Sequence, residues 1–181
     1  MLEVEVKYRS PGNDIVEKTL ARLGAKKISD GAMEDLYFAH PIKDFGKSDE
    51  ALRLRKTADG AELTYKGARM ALEHTKAREE VTLKTDNPLA IQRILERLGF
   101  KEVYVVRKSR RTYQLDKLRV EIDDVEGLGE FVELEIMTES PERSATLMET
   151  ARKELVLEKI EPKTYLELLI EKGLSKETDK K

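Results

Sequence analysis

The sequence predicts an α+β fold in which roughly eight antiparallel strands close into a barrel and amphipathic helices pack against it. Three observations carry this expectation. Apolar and charged residues alternate with period two over many short segments, three apolar stripes recur at helical spacing, and an internal repeat links the two halves of the chain. In the repeat, Glu3-Val4-Glu5-Val6-Lys7 and a helix ending Leu20-Ala21-Arg22-Leu23-Gly24 are echoed by Glu80-Val81-Thr82-Leu83-Lys84 and a helix ending Leu95-Glu96-Arg97-Leu98-Gly99. Each copy continues into further strands, as two halves of one sheet would.

Along the chain, Leu2 to Arg9 alternates strictly and reads as a strand. A helix follows, with Ile15, Val16, Leu20 and Leu23 on one stripe and Gly24 as its stop. Strands are expected at 25–39, 51–57, 61–67 and 73–84, with Ala58-Asp59-Gly60 as a hairpin turn. Asn87-Pro88 supplies a cap and a first-turn proline for a second helix carrying Leu89, Ile91, Ile94, Leu95 and Leu98. Strands resume at 101–115, 117–123 and 130–138. Ser140-Pro141-Glu142 opens a third helix to about Leu157, a fourth spans 164–172, and SKETDKK reads as a frayed tail. Residues 1–172 are expected to form a single domain, with 173–181 a disordered tail.

Of the 181 residues 39% are charged, yet 34 Lys and Arg nearly cancel 36 Asp and Glu, leaving a net charge of −2. That balance disfavours a nucleic-acid binder, which carries a basic excess. With no Cys and two distant histidines, His40 and His74, a disulfide framework, a thiol nucleophile, Cys-ligated zinc and a Ser-His triad all recede. A bound metal would have to be held by carboxylates. The chain starts MLEVEVKYRS, without the apolar stretch of a signal peptide, and has no long apolar run, so a cytoplasmic protein without a membrane span is expected. Only four amides (Asn13, Asn87, Gln92, Gln114) accompany the abundant Lys and Glu, a bias of proteins from hot environments. A thermophile's ion-paired surface is therefore the plain alternative for every charge cluster.

Two arrangements fit the strand pattern. The apolar faces, such as Leu118/Val120/Ile122 and Val132/Leu134/Ile136, either fill the barrel or look outward beneath the helices. The first is usual for a soluble sheet. The second gives the helical stripes something to bury against and encloses the charged faces, which then need an anion for their Lys and Arg and a cation for their carboxylates. The pattern leaves both open. On the charged faces, Glu3-x-Glu5-x-Lys7 and Glu133-x-Glu135 offer hard oxygen ligands suited to Mg²⁺ or Mn²⁺, while Arg53-x-Arg55, Lys66 and Lys108-x-Arg110 suit phosphate oxygens.

Taken in order, Glu3-Val-Glu-Val-Lys7, Asp35-Leu-Tyr-Phe38, Ala51-Leu-Arg-Leu-Arg55, Leu63-Thr-Tyr-Lys-Gly67, Arg78-Glu-Glu80, the run from Val106 to Tyr113, Asp123 to Glu135 and Lys163-Thr-Tyr-Leu-Glu-Leu-Leu169 resemble the CYTH family, or triphosphate tunnel metalloenzymes. The family includes class IV adenylyl cyclases, thiamine triphosphatases and inorganic triphosphatases. The resemblance implies an eight-stranded antiparallel tunnel with a charged interior and helices outside. It also implies that Glu3, Glu5, Glu133 and Glu135 bind metal, Mg²⁺ or Mn²⁺. Lys7, Arg53, Arg55, Lys66, Lys108 and Arg110 would hold the triphosphate, with Arg78, Lys84 and Lys163 as further candidates. Asp123 matches an acidic position that orients a basic neighbour or assists the metal, and Glu5, Lys7, Asp123 and Glu135 form the implied catalytic set. Thr82 stands where the first copy of the repeat has Glu5, so the second copy should lack a metal site.

The function expected from this resemblance is ATP cyclisation to cyclic AMP and pyrophosphate, favoured by the Asp-x-Tyr-Phe and Val-Glu-Gly-Leu-Gly-Glu-Phe stretches. The alternatives are hydrolysis of thiamine triphosphate, inorganic triphosphate or a nucleotide, and non-catalytic nucleotide or polyphosphate binding. Neither a membrane nor a nucleic acid is an expected partner. The long second strand, with Tyr37 and Phe38, is the candidate surface for a homodimer. Arg119, Glu121 and Glu62 read as ion-pair fillers, and His40 and His74 as turn or surface residues.

Overall fold

The computed structural model describes residues 2–71, 76–138 and 141–173. In chain order these form β1 (Leu2–Arg9), α1 (Asn13–Arg22), β2 (Lys26–Ala39), β3 (Ala51–Thr57), β4 (Gly60–Lys66), β5 (Met70–Ala71), β6 (Lys76–Ala77), β7 (Glu80–Thr85), α2 (Pro88–Arg97), β8 (Lys101–Leu115), β9 (Leu118–Val125), β10 (Gly129–Thr138), α3 (Pro141–Glu154) and α4 (Tyr165–Glu171). Eight of the strands make one hydrogen-bonded sheet in the order β1-β10-β9-β8-β2-β3-β4-β7. The α+β class and its eight antiparallel strands are as expected. Among the described residues no helix is long and apolar enough to cross a membrane.

One expected strand is shorter than its sequence range. Of the expected strand 73–84, residues 73–75 lie outside the described residues, and the described part forms the two-residue β6 and then β7 from Glu80, where alternation resumes at Val81. His74 and Ser140 lie outside the described residues.

The chain divides into two compact units, one from residues 1–32 and 108–168, the other from 33–107 with the last turn of α4. The first contains the ladders β1-β10-β9-β8, the second β2-β3-β4-β7. The two repeat copies are thus interleaved: each unit takes the strand and helix that open one copy and the later strands of the other. Both opening helices end alike. Gly24 and Gly99 adopt φ of 77° and 90°, where a side chain would be strained. The following Ala25 and Phe100 amides donate back to Leu20 and Leu95 carbonyls at 3.0 Å, the six-to-one closure of a Schellman turn. At the other end of α2 the Asn87 side chain accepts from the Ala90 amide at 3.0 Å.

In the first unit, Val16 and Leu20 of α1, Met148 and Ala151 of α3 and Leu155 just after it pack with Val120 and Ile122 of β9 and Val132, Leu134 and Ile136 of β10. The helices therefore cover the apolar face of this sheet, as the outward-facing arrangement requires. In the second unit Leu36, Phe38, Leu52, Leu54 and Ala61 pack with Leu95, and Ile91 joins them. Here the sequence overstated burial: Leu89 and Ile94 of α2, Leu98 at its C-cap, and Val81 and Leu83 of β7 are all more than half exposed. Helical and strand periodicity mark where apolar residues lie but not how wide the surface opposite them is. Phe38, expected at a dimer surface, is a core residue at 3% exposure, and Tyr37 stands opposite Arg53 on the charged face, so this pair offers no docking surface.

Candidate functional site

Residues directly opposite in an antiparallel ladder share a face. In the first unit the register places Lys7 opposite Glu133 and Glu5 opposite Glu135. Across the next ladder Glu133 meets Glu121 and Glu135 meets Arg119. Beyond that, Arg110 faces Asp123 and Thr112 faces Glu121. One charged row therefore crosses four strands on the face away from α1 and α3. It is also buried: Lys108, Arg110, Glu121, Asp123 and Glu133 are each at most 7% exposed. Charges this deep persist only when paired.

The pairing is dense. Arg110 Nε donates to Asp123 Oδ1 at 2.7 Å, its terminal nitrogens reach Glu133 Oε2 at 2.5 Å, and it also contacts Glu121. Lys108 Nζ and the Tyr165 hydroxyl both donate to Asp123 Oδ2 at 2.8 Å. Lys7 Nζ lies 3.6 Å from Glu133 Oε1 and donates to the Lys163 carbonyl at 2.9 Å. Burial alone would raise the Asp123 carboxyl, but the hydrogen bond and charge of Arg110, with Lys108 behind it, hold it well below the carboxylate range. Glu133 is likewise pushed up by burial and held down by Arg110 and Lys108. Asp123 is thus a fixed anion with donors on both oxygens, an orienting group and not a free base.

The segment after α3 is tied along β1. The Arg9 amide donates to the Lys159 carbonyl and the Glu161 amide to the Lys7 carbonyl, each at 2.8 Å, and the Arg9 guanidinium pairs with Glu161. This seam delivers Lys163 and Tyr165 to the cluster.

The second unit has its own charged face. Asp35, 2% exposed, takes two parallel bonds from Arg55, Nε to Oδ1 and Nη2 to Oδ2, both 2.7 Å, and lies 3.8 Å from Arg53. The bidentate fork fixes the guanidinium plane. Arg53 Nε is buried without a hydrogen-bond partner among the described residues, an orphan donor suited to an anion. Lys66 donates to Glu80 at 2.7 Å, and Arg78 reaches the same oxygen at 3.2 Å. Burial and then the Arg53 charge lower the Lys66 pKa, outweighing Glu80. An anion bound beside Lys66 would raise that pKa again, so binding takes up a proton. Affinity for inorganic triphosphate should lose a Lys66-dependent part as pH rises through the depressed Lys66 value, so the ratio of wild-type to Lys66→Met affinity should shrink with rising pH, the ligand's own titration being common to both proteins; calorimetry on the two proteins side by side checks it.

The structure brings Lys7, Lys108, Arg110, Asp123 and Glu133 together in the first unit, and Arg53, Arg55, Lys66 and Arg78 on one face of the second. Lys84 is 83% exposed, 3.5 Å from Glu62 near the end of its strand. Lys163 is exposed, and its carbonyl joins the cluster by accepting from Lys7. Arg107 and Arg111 point the other way from Lys108 and Arg110, pairing with Glu34 and Glu17. His40 serves a turn, its Nδ1 accepting from the Ile42 and Lys43 amides. Asp35, Glu121 and Tyr165 are parts of these clusters to which the sequence assigned no site role. Asp35 was discoverable from parity with Arg55; Tyr165 had no local signal.

For a metal, the Glu5 and Glu135 carboxylates stand directly opposite one another on neighbouring strands. Like charges so placed repel unless a cation lies between them. The Glu3 side chain is outside the described residues, and among the described residues no three acidic or histidine side chains gather closely enough to cage an ion.

A CYTH domain model matches residues 1–167. A candidate adenylate cyclase of Methanocaldococcus jannaschii is 41% identical over 135 residues, 75% of this chain and 77% of that protein. The adenylate cyclase CyaB of Aeromonas hydrophila is 30% identical over 142 residues, 76% of this chain and 70% of its own. Among solved structures, a Pyrococcus horikoshii protein superposes with a TM-score of 0.81 at 36% identity, covering 94% of this chain and 99% of that one. A candidate adenylyl cyclase from Hippeastrum with a dominant triphosphatase activity shares the fold at 22% identity and a TM-score of 0.71, covering 95% of this chain and 96% of its own.

Proposed function

The chain belongs to the CYTH domain family, and from that premise we propose that it is a divalent-metal-dependent enzyme acting on a triphosphate, with ATP cyclisation to cyclic AMP and pyrophosphate as the favoured reaction. The observation that carries this reading is the buried charged row of the first unit. Burial of Lys7, Lys108 and Arg110 beside fixed carboxylates is a costly arrangement for a purely structural sheet, and it is what preorganised phosphate recognition needs.

In this reading Lys7, Lys108 and Arg110 in the first unit, and Arg53, Arg55 and Lys66 in the second, bind phosphate oxygens. The Asp35 fork keeps Arg55 in plane and Asp123 keeps Lys108 and Arg110 aimed. Glu5 and Glu135, with Glu3 by parity and Glu133 beside them, are the residues that would hold Mg²⁺ or Mn²⁺. When bound, the cation supplies neutralisation of phosphate charge and a lowered pKa for the attacking hydroxyl. Cyclisation needs no covalent intermediate: the ribose hydroxyl attacks the α-phosphorus in line and pyrophosphate leaves, with residues 1–172 as one cytoplasmic domain in this reading.

Hydrolysis is the second reading, supported by the dominant triphosphatase activity of the Hippeastrum protein: the same cations would hold a triphosphate whose terminal phosphorus is attacked by water. Incubation with ATP and Mg²⁺ separates the two. Cyclic AMP with pyrophosphate supports cyclisation; orthophosphate alone supports hydrolysis and overturns the favoured reaction.

A further inference from the structure

Tyr165 sits at the start of α4, 8% exposed, with its ring packed edge-on against Phe131 at 5.0 Å between centroids. Lys7 Nζ lies 4.3 Å from the centre of that ring and Lys108 Nζ 4.8 Å. The Tyr165 hydroxyl donates to the Asp123 oxygen that Lys108 also uses. One side chain thus touches two ammonium groups from different strands and the carboxylate that organises the cluster.

We infer that Tyr165 is a positioning residue for anion binding: its ring holds the Lys7 and Lys108 ammonium groups in place without adding negative charge to that of Glu133 and Asp123, their carboxylate partners, while its hydroxyl fixes Asp123. The physical reason lies in the difference between an aromatic face and a carboxylate as a cation's partner. A carboxylate would cancel the charge and compete with phosphate. The negative face of a phenol ring attracts each ammonium through its quadrupole without adding a formal charge, so the ring takes nothing further from what Asp123 and Glu133 leave for an incoming anion. Ring contact in a desolvated setting also counters the mutual repulsion of the two lysines, which otherwise drives their flexible stems apart. Burial, reinforced by Glu133 and Asp123, raises the phenol pKa, so the hydroxyl stays a donor to Asp123 and does not become an anion beside the lysines. The Lys163 carbonyl, two residues earlier in the same segment, completes the Lys7 cradle.

This inference rests on the reading of Lys7 and Lys108 as triphosphate ligands, and the test keeps the two apart. The probe is inorganic triphosphate with Mg²⁺, titrated calorimetrically into the full chain as wild type, Tyr165→Phe, Tyr165→Met and Tyr165→Leu. Thermal melts of each variant correct for the folded fraction. All three substitutions remove the hydroxyl, so comparing Phe with Met and Leu isolates the aromatic ring. Tyr165→Phe should bind within about threefold of wild type, whereas Tyr165→Met and Tyr165→Leu should bind about tenfold more weakly, about 1.4 kcal/mol. In turnover assays the loss should appear mainly in KM. A structural role alone would lower melting temperature and active fraction but leave the affinity of the folded protein unchanged. Equal affinities for the Phe, Met and Leu variants would overturn the inference while sparing the triphosphate reading. A folded wild type that binds no inorganic triphosphate would overturn both.

Discussion

Replacing Arg110 by Met is expected to cost about 3–5 kcal/mol of folding stability and to abolish triphosphate turnover in the same variant. Arg110 is the shared counter-ion of Asp123, Glu121 and Glu133, all nearly inaccessible to water. Without it, Lys108 and Lys7 remain near Asp123 and Glu133, but three buried carboxylates share the positive charge that is left, so desolvation is no longer offset. Arg110 lies deep in the unit's interior, and both Asp123 and Glu133 raise its own pKa against the effect of burial. Denaturant unfolding measures the effect, with an unchanged m-value showing that the loss is of stability and not of two-state behaviour. The contrast is Lys84→Met: that side chain is 83% exposed, so the change should stay within about 0.5 kcal/mol. A loss below about 1 kcal/mol for Arg110→Met would mean that the cluster is hydrated and not the buried network described above.

The second large effect has the opposite sign in stability. Glu5→Gln or Glu135→Gln should lower metal-dependent turnover at least about 100-fold, since even residues one step removed from a metal commonly cost 10–100-fold. The metal-free protein, however, should be as stable as wild type or slightly more so. Glu5 and Glu135 oppose each other across the ladder, and neutralising one relieves a like-charge contact. Raising Mg²⁺ or Mn²⁺ should restore part of the turnover of these variants, and melts with and without EDTA should show a smaller metal-induced gain than in wild type. Unchanged turnover would remove these carboxylates from the metal site. A marked loss of metal-free stability would mean that they are structural partners of Arg119 and its neighbours instead.

The charged faces were legible from sequence because strand parity is a hard constraint. In the run Arg107-Lys108-Ser109-Arg110-Arg111, period two separates Lys108 and Arg110 from Arg107 and Arg111, and the structure makes the same division. The helix boundaries were legible because their signals are local: Asn87-Pro88 at one end, Gly24 and Gly99 at the other. Whether the apolar faces lay inward or outward was not decided by alternation, which is identical in both arrangements. It is the packing of α1 and α3 on β9 and β10 that decides it within the first unit.

Depth along a strand was not legible. Lys84 has the parity of the charged faces, yet every residue of β7 from Glu80 to Lys84 is exposed, whereas Lys108 and Arg110 of β8 are buried. Nor was the exposed stripe of α2, because periodicity says nothing about the width of the surface a helix meets. Tyr165 was invisible for a different reason. Its partner Asp123 lies 42 residues earlier, and only the seam of the segment from Lys159 to Glu161 along β1 brings the ring over the lysines. The Lys163 carbonyl, which accepts from Lys7, is a group common to every residue type and so lay beyond sequence reading.

The central claim is that this charged fold performs metal-dependent chemistry on a triphosphate. The most direct measurement is turnover of a panel of ATP, other nucleoside triphosphates, thiamine triphosphate and inorganic triphosphate, each with Mg²⁺ or Mn²⁺ and again after EDTA, with phosphate, pyrophosphate and cyclic nucleotide all quantified. The account predicts turnover of at least one triphosphate that EDTA abolishes, metal restores and Arg110→Met lacks. No turnover of any member by the folded wild type, or turnover indifferent to EDTA, would contradict it.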